Sequence, residues 1–261
     1  RKSFQEVLSQ RLENVNVIDL GVLPTSRMAE DAVQQPTEEK QVESEMKVSK
    51  SKAIINDPST FKNTHPIAID DQTVKHPLWC RWSIWYDGPA KKTTLKNWSD
   101  NLKEVYTFDT VEDFWSVYNN IQSPCQLPPG SNYHLFKHGI KPMWEHEANR
   151  RGGKWIVNYP AKFKGKIDKC WLYLSLALIG EHFQDGDEVC GGVVSVRKAG
   201  SRISLWTRTA KDRDMCIQIG RQLRALLGLE EWPEVKLIYQ SHGDALQNDS
   251  SFGNKPLYCI D

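Results

Sequence analysis

The chain of 261 residues carries 34 basic and 33 acidic side chains, and this balance excludes a broadly basic surface for unspecific nucleic-acid binding. Hydrophobic residues make up 39% of the sequence, as in ordinary globular proteins, and no apolar run is long enough to span a membrane. Six widely spaced cysteines without a Cys-x-x-Cys pair argue against a zinc site and a disulfide framework, and indicate reduced thiols in a cytosolic protein.

Residues 1–70 differ in composition from the rest of the chain. They are rich in Glu, Gln, Ser and Lys, and their only aromatic residues are Phe4 and Phe61. Such a segment cannot bury enough apolar surface to offset the entropy lost on ordering. We therefore predict a low-complexity, disordered extension at 1–70 and a single folded domain at 71–261.

The folded part is predicted to contain eight strands and three helices. Segments with alternating or β-branched and aromatic residues predict the strands, which are 78–86, 103–108, 133–138, 155–159, 189–198, 202–207, 235–241 and 256–260. The first helix is predicted to begin at Asp109, with Glu112 completing a capping box. The others are predicted at 168–183 and at 212–227, before Gly228. This order favours an α+β domain with a mostly antiparallel sheet, helices on one face and a ligand on the other.

A tryptophan and a glutamate are adjacent in Pro142-Met143-Trp144-Glu145, between two predicted strands. An indole can stack on a flat ring, and one carboxylate can accept both in-plane N–H groups of a guanine edge. Guanine methylated at N7 is cationic, so two indoles would add a cation–π contribution of about 2 kcal/mol when desolvated. The second indole is predicted to be Trp98 in a polar loop. The alternative is that Trp98 only anchors this loop to the surface.

Two arginines flank a predicted hairpin turn at 198–201. Arg197 and Arg202 would lie opposite each other, which is unfavourable unless an anion lies between them. Trp206 shares the face of Arg202 because side chains alternate along a strand. A polyphosphate suits this patch, and a solvated hairpin end is the alternative. Lys154 follows two glycines in a predicted flexible turn and would contact the same phosphates.

Signatures of common catalytic sites are absent from the sequence. It contains no Gly-x-Ser-x-Gly, no His-Glu-x-x-His and no Walker pattern. His134 and His138 share a predicted strand face, but no third metal ligand is placed beside them. The sequence therefore favours a binding protein without a cofactor over an enzyme.

These motifs together resemble the translation initiation factor 4E family, whose members bind the 5′ cap of messenger RNA. The segments that carry the resemblance are His76-Pro77-Leu78, Phe108 to Trp115, Gly139 to Glu145, Arg151 to Trp155, Trp171-Leu172, Leu178 to Glu181 and Gly228-Leu229. The resemblance implies a cupped, mostly antiparallel eight-stranded sheet with three helices on its convex face. It also implies a translation factor of the cytoplasm, and of the nucleus as a second compartment.

The resemblance assigns a role to each candidate residue of the cap site. Trp98 and Trp144 would sandwich the 7-methylguanosine, and Glu145 would bind its base edge. Trp206 would contact the N7-methyl region. The three cations that would face the triphosphate are Lys154, Arg197 and Arg202. A trimethylguanosine cap is a second ligand that the sequence leaves open.

The resemblance also implies a separate groove on the convex face for a short helical peptide motif. A scaffold protein of the initiation complex and competing inhibitory proteins would share this groove. The residues assigned to it are His76, Pro77, Val111, Trp115, Leu172, Leu176 and Gly180. Trp115 is expected to be exposed there, because its neighbour Phe114 points about 100° away and can fill the core.

Several positions depart from the family pattern. The replacements are Lys154 for Arg, Asn132 for the Asp that orients the phosphate-binding arginine, Tyr173 for a Glu on the peptide-binding helix, and Asn248 for a Lys in the C-terminal loop. Arg197 is therefore expected to be held less firmly, and peptide binding to depend less on an ion pair. Ser251 occupies the position of the family's regulatory phosphorylation site, in different surroundings.

Other functions compete with a cap-binding initiation factor. A generic single-stranded RNA-binding domain would need aromatic and basic platforms spread along a sheet, whereas the candidates here converge on one place. A translational repressor that sequesters caps would use the same residues as an initiation factor. A cap-modifying enzyme would need a metal-binding acidic cluster or a nucleophile near the base site.

Overall fold

An eight-stranded sheet organises the residues that the computed structural model describes, which are 75–89, 99–248, 250 and 253–260. The strands are β1 Pro77–Asp87, β2 Lys103–Thr110, β3 Asn132–Lys137, β4 Gly153–Pro160, β5 Val189–Val196, β6 Gly200–Thr207, β7 Leu237–Ser241 and β8 Tyr258–Ile260. They pair in the order β2-β1-β3-β5-β6-β4-β7-β8, and all neighbours are antiparallel. The predicted eight-stranded antiparallel sheet is confirmed.

Three of the predictions concern residues outside this description. The extension at 1–70 and the loop residue Trp98 both belong to the part of the chain that is not described, as does Ser251. The described residues belong to one compact unit, Lys75–Asp261.

Four α-helices lie wholly within the described residues, one more than the sequence predicted. They are α1 Val111–Tyr118, α2 Ile167–Ile179, α3 Arg213–Leu226 and α4 His242–Gln247. Short 3-10 helices lie at Pro124–Gln126, Ala161–Lys166, Gly186–Glu188 and Leu229–Glu231. With only six residues, α4 is too short to produce a helical period in the sequence. None of the helices in the described part is long and apolar enough to cross a membrane.

The start of α1 lies two residues after the predicted position. Thr110 is the N-cap, and its Oγ1 accepts a hydrogen bond from the backbone N–H of Asp113 at 3.2 Å. Asp109 still belongs to β2. Glu112, which predicted the capping box, instead accepts a hydrogen bond from the backbone N–H of His76 at 2.9 Å. A carboxylate near the first turn therefore joins the helix to the segment before β1.

One face of the sheet is covered by α1, α2 and α3, as predicted. Gly192 of β5 lies under α2, because a Cβ there would be 2.9 Å from the Leu174 side chain. Trp155 of β4 is buried and its Nε1 donates to the carbonyl of Cys216 in α3 at 2.9 Å. Phe114 of α1 packs on Phe108, with 5.7 Å between ring centroids. Side chains that neighbour Trp155 and Gly192 in sequence point to the other, open face of the sheet.

Candidate functional site

An aromatic cluster lies on the open face of the sheet. Its buried members are Phe136, Ile140, Cys190, Val193 and Trp206, and Trp144 and Ala148 pack against it. Trp144 is half-buried and the neighbouring Glu145 is exposed. The predicted indole and carboxylate are therefore both accessible from one loop.

Asn149 fixes the loop that carries Trp144 and Glu145. Its side chain is buried, and its Nδ2 donates to the backbone carbonyls of Lys141 and Met143, both at 2.8 Å. Sequence reasoning missed this residue, because a single asparagine in a polar stretch has no spacing that distinguishes it. Clamping a ligand-binding loop in this way reduces the entropy lost when the ligand is bound.

Lys154 lies between two indoles on the open face. Its Nζ is 5.7 Å from the ring centroid of Trp144 and 5.6 Å from that of Trp206, and the residue is only 7% exposed. It belongs to β4, where it pairs with Trp206 on one side and Gln240 on the other. The predicted flexible turn at Lys154 is therefore wrong.

The two glycines before Lys154 are required by close packing. A Cβ on Gly152 would overlap the carbonyl oxygen of Thr207, and a Cβ on Gly153 would lie 2.5 Å from that of Gln240. Backbone oxygens of neighbouring strands cannot move aside cheaply. The glycine pair therefore allows β4 to fit between β6 and β7, and this puts Lys154 inside the sheet.

The buried position of Lys154 changes its acid–base properties. Burial, and then the nearby charge of Arg202, lowers the pKa of Lys154 from 10.5 to about 7. His242 of α4 lies 4.2 Å from Trp206 between ring centroids, and its Nδ1 donates to the carbonyl of Asn149 at 2.9 Å. Burial, and then the charge of Lys154, lowers the pKa of His242 to about 3. His242 is therefore uncharged, and its ring packs against Trp206.

Arg202 lies on the same face as Trp206, four residues away along β6. That separation corresponds to about 13 Å at 3.3 Å per residue. Arg202 pairs with Ser195 of β5 and not with Arg197, so the predicted arginine pair is wrong. The reason is that the turn lies one residue earlier in the sequence than predicted. Val196 pairs with Ser201, so the four turn residues are 197–200 and not 198–201. The Arg202 Nε donates to the side-chain oxygen of Asn158 at 2.9 Å.

Arg197 follows β5 directly and its side chain folds back on the neighbouring chain. Its Nη1 donates to the backbone carbonyl of Val196 at 2.8 Å, and its Nη2 donates to Asn132 Oδ1 at 3.0 Å. An asparagine at 132 therefore still binds the guanidinium group, through a hydrogen bond without a negative charge. The residue is still exposed, and other N–H groups remain available to a ligand.

The groove assigned to a peptide is partly closed in the structure. Val111 is 0% exposed and Trp115 only 3%, so the expected exposed indole at Trp115 is wrong. The ring of Trp115 packs edge-on against Phe114 and Tyr118, at 5.2 and 5.9 Å between centroids. The segment before β1 also lies beside the helix, because Val111 N–H donates to the carbonyl of His76 at 2.9 Å. The adjacent residues Phe114 and Trp115 are therefore both buried.

Most of the other residues of the assigned groove remain accessible. Pro77 is exposed, and His76, Leu172 and Gly180 are half-buried, while Leu176 is 9% exposed. Tyr173, beside Leu172 on α2, is half-buried, and Lys169 Nζ lies 5.5 Å from its ring centroid. Tyr173 thus holds a cation through its ring, where a carboxylate would form an ion pair.

All six cysteines are free of disulfide bonds. Among the described residues, no group of three or more His, Cys, Asp or Glu side chains is arranged to hold a metal ion. The predicted site residues are aromatic or cationic, apart from the carboxylate of Glu145.

Residues 77–257 match the model of the eukaryotic initiation factor 4E family. The chain belongs to this family. Initiation factor 4E of Dictyostelium discoideum is 44% identical over 188 residues, which are 72% of this chain and 72% of that protein. Human initiation factor 4E is 41% identical over 202 residues, which are 75% of this chain and 91% of the human protein.

Solved structures of initiation factor 4E proteins have the same fold. Caenorhabditis elegans eIF4E-3, in complex with the 4E-binding protein Mextli, has a TM-score of 0.64 and is 42% identical, covering 72% of this chain and 100% of its own. Ascaris suum eIF4E-3 in complex with the m7G cap has a TM-score of 0.63 and is 43% identical, covering 72% of this chain and 98% of its own. The Ascaris protein has also been solved with the m2,2,7G cap.

Proposed function

We propose that this chain binds the 7-methylguanosine 5′ cap of messenger RNA during translation initiation. The observation that carries the proposal is the position of the Lys154 ammonium, 5.7 Å from the ring of Trp144 and 5.6 Å from that of Trp206. Two indoles close to a cation suit a guanine ring that N7-methylation has made cationic, with Trp144 stacking on one ring face and Trp206 beside the methyl group. The methyl group is then the feature that separates the cap from other guanine nucleotides.

Glu145, which is exposed beside Trp144, would bind the edge of the guanine base. A carboxylate accepts both in-plane N–H groups of guanine, and the corresponding edge of adenine offers no such pair. Trp98 would stack on the second face of the ring. This role of Trp98 rests on the family resemblance and on its position in a polar loop.

The phosphate chain of the cap would run along β6 toward Arg202 and Arg197. Arg202 is about 13 Å from Trp206 along the strand, a distance that suits a base at one end and phosphates at the other. The cationic ring would displace the Lys154 ammonium from the indoles, and the first phosphate would then bind that ammonium. Lys154 therefore contributes at the junction of base and phosphates.

The residues of the site are aromatic, cationic or a single carboxylate, so we propose a binding protein that needs no cofactor and is not an enzyme. Because Ascaris suum eIF4E-3 has been solved with both m7G and m2,2,7G caps, the trimethylated cap is a second candidate ligand. We propose that the protein acts in the cytoplasm, with the nucleus as a second compartment.

A scaffold protein of the initiation complex, or a competing inhibitor, would bind on the opposite, helix-covered side. Supporting this proposal, a 4E-binding protein is bound to the related Caenorhabditis elegans eIF4E-3. The accessible residues here are His76, Pro77, Leu172 and Gly180. Tyr173 provides a ring in place of a carboxylate, so apolar contact would contribute more than an ion pair.

The proposed phosphate contact at Lys154 predicts how affinity depends on pH. Its pKa is lowered to about 7 in the free protein, and a bound phosphate would raise it again. Binding above this pH must therefore take up a proton, so affinity falls as the pH rises. Below it, Lys154 is charged in both states and its full contribution is present.

The measurement is a titration with 7-methylguanosine triphosphate from about pH 6 to about pH 9, on the wild type and on Lys154→Met. We expect the wild type to bind more tightly at the acidic end, and this advantage to disappear toward the alkaline end. The nucleoside 7-methylguanosine, which has no phosphates, serves as the control ligand. Parallel pH profiles for the two proteins would mean that Lys154 does not contact the phosphates.

A further inference from the structure

A chain of hydrogen bonds runs from β1 to Arg197 through residues that cap binding leaves unexplained. Asp87 Oδ2 accepts from Asn132 Nδ2 at 2.7 Å, and Asn132 Oδ1 accepts from Arg197 Nη2 at 3.0 Å. Asp87 Oδ1 lies 2.6 Å from His134 Nε2. Asp87 is 3% exposed, Asn132 7% and His134 4%, so the first three members of the chain are buried.

The carboxylate of Asp87 decides which way the Asn132 amide points. An ionised carboxylate only accepts hydrogen bonds, so the amide nitrogen of Asn132 must face Asp87. The amide oxygen is then left for the guanidinium group of Arg197. With the amide reversed, its N–H groups would point at the N–H groups of Arg197, and both contacts would be lost.

The strands hold this arrangement in place. Asp87 is the last residue of β1 and pairs directly with Asn132 of β3. His134 lies two residues further along β3, on the same face, and can reach the second carboxylate oxygen. Since the carboxylate accepts, the His134 Nε2 donates. The carboxylate is therefore held from two sides, and it cannot rotate away from Asn132 without losing a contact.

We propose that Asp87 is a positioning residue that, through Asn132, holds Arg197 in place for the phosphates of the cap. The proposal rests on the proposed cap binding and adds a residue that the sequence analysis did not select. Asn132 departs from the family pattern by lacking a charge. Here the negative charge lies one strand further away, on Asp87, whose charge favours the cationic form of Arg197 and so opposes the pKa decrease that burial causes.

The first test compares Asp87→Asn with the wild type, using 7-methylguanosine triphosphate and the nucleoside 7-methylguanosine. We expect the triphosphate affinity to fall on the order of tenfold, as for other residues that orient a ligand-binding side chain. The nucleoside affinity should remain within about twofold, because Arg197 does not contact the base. An unchanged triphosphate affinity, or equal losses for both ligands, would overturn the proposal.

A reciprocal exchange provides the matched control. In the double variant Asp87→Asn, Asn132→Asp, the carboxylate at 132 accepts from Arg197 and from the new amide at 87, whose oxygen accepts from His134. We expect this variant to recover wild-type triphosphate affinity, even if Asp87→Asn alone folds poorly. A double variant that folds but binds the triphosphate as weakly as Asp87→Asn would refute the proposed positioning of Arg197 by Asp87 through Asn132.

A test in the Arg197→Ala variant separates a positioning role of Asp87 from an effect of Asp87 on the stability of the fold. In Arg197→Ala, the further change Asp87→Asn should cause no additional loss of triphosphate affinity, because the side chain that Asp87 positions is gone. Independent, multiplicative losses would overturn the proposal. If the wild type binds neither ligand, the proposed cap binding itself fails, and that result is distinct from every outcome for the variants.

Discussion

Trp144→Ala is expected to weaken binding of 7-methylguanosine triphosphate by about 1–3 kcal/mol, the usual cost of losing one aromatic stack. Trp144 is half-buried at the edge of the aromatic cluster, and its ring lies 5.7 Å from the Lys154 ammonium. Its removal takes away one of the two described ring faces that surround a cation. The measurement is a fluorescence or calorimetric titration of both proteins.

The matched control for Trp144→Ala is Trp232→Ala. Trp232 is also half-buried, but it packs on Tyr159 and Phe163 at 5.9 and 5.4 Å between centroids, away from the aromatic cluster. Trp232→Ala should bind the nucleotide as the wild type does. Equal losses in both variants would show that the effect comes from general destabilisation and not from the site.

Trp115→Ala is expected to lower the free energy of unfolding by about 3–5 kcal/mol, the range for removing a large aromatic side chain from a core. The residue is 3% exposed and packs against Phe114 and Tyr118. Denaturant unfolding of the wild type and the variant measures the loss. A variant as stable as the wild type would mean that the indole is not part of the core.

Leu172→Asp is the better probe of partner binding. Leu172 is half-buried on α2, so a charge there should spare the fold and oppose apolar contact with a helical peptide. We expect the peptide affinity to fall by at least about 2 kcal/mol, the threshold for a hot spot, with cap affinity unchanged. Loss of both affinities together would contradict two separate surfaces.

The sequence predicted the elements whose side chains follow a clear period. All eight strands were found, and the helices α1, α2 and α3 were placed within a few residues of their observed ends. Period-two alternation also put Arg202 and Trp206 on one face. Paired residues point to the same side of a sheet, so the pairing of Trp206 with Lys154 places Lys154 on that face as well. These features depend on local patterns, which a single sequence contains.

The features that were not predicted depend on contacts between distant parts of the chain. The glycines before Lys154 suggested a flexible turn, whereas they allow close contact with Thr207 and Gln240. Glu112, which suggested a capping box, instead binds the backbone N–H of His76, 36 positions earlier in the sequence. The role of Asn149 depends on where the carbonyl groups of its loop point. No pattern of neighbouring residues indicates such relations.

The hairpin register shows how a small error changes a conclusion about charge. The same turn placed one residue later in the sequence would have put Arg197 opposite another arginine, and an anion would then have been needed to hold them together. In the observed register Arg202 faces Ser195, and Arg197 is held by Asn132. Each arginine therefore has partners within the protein, and its other N–H groups would bind phosphates together with Lys154.

The central claim is that the site recognises the positive charge of a methylated guanine between indole faces. The most direct measurement is the affinity of the wild-type chain for 7-methylguanosine triphosphate and for guanosine triphosphate, under identical salt and pH. A cation–π contribution of about 2 kcal/mol predicts that the methylated nucleotide binds roughly thirtyfold more tightly. Equal affinities for the two nucleotides would contradict this claim, because the ligands differ only in the methyl group and the ring charge.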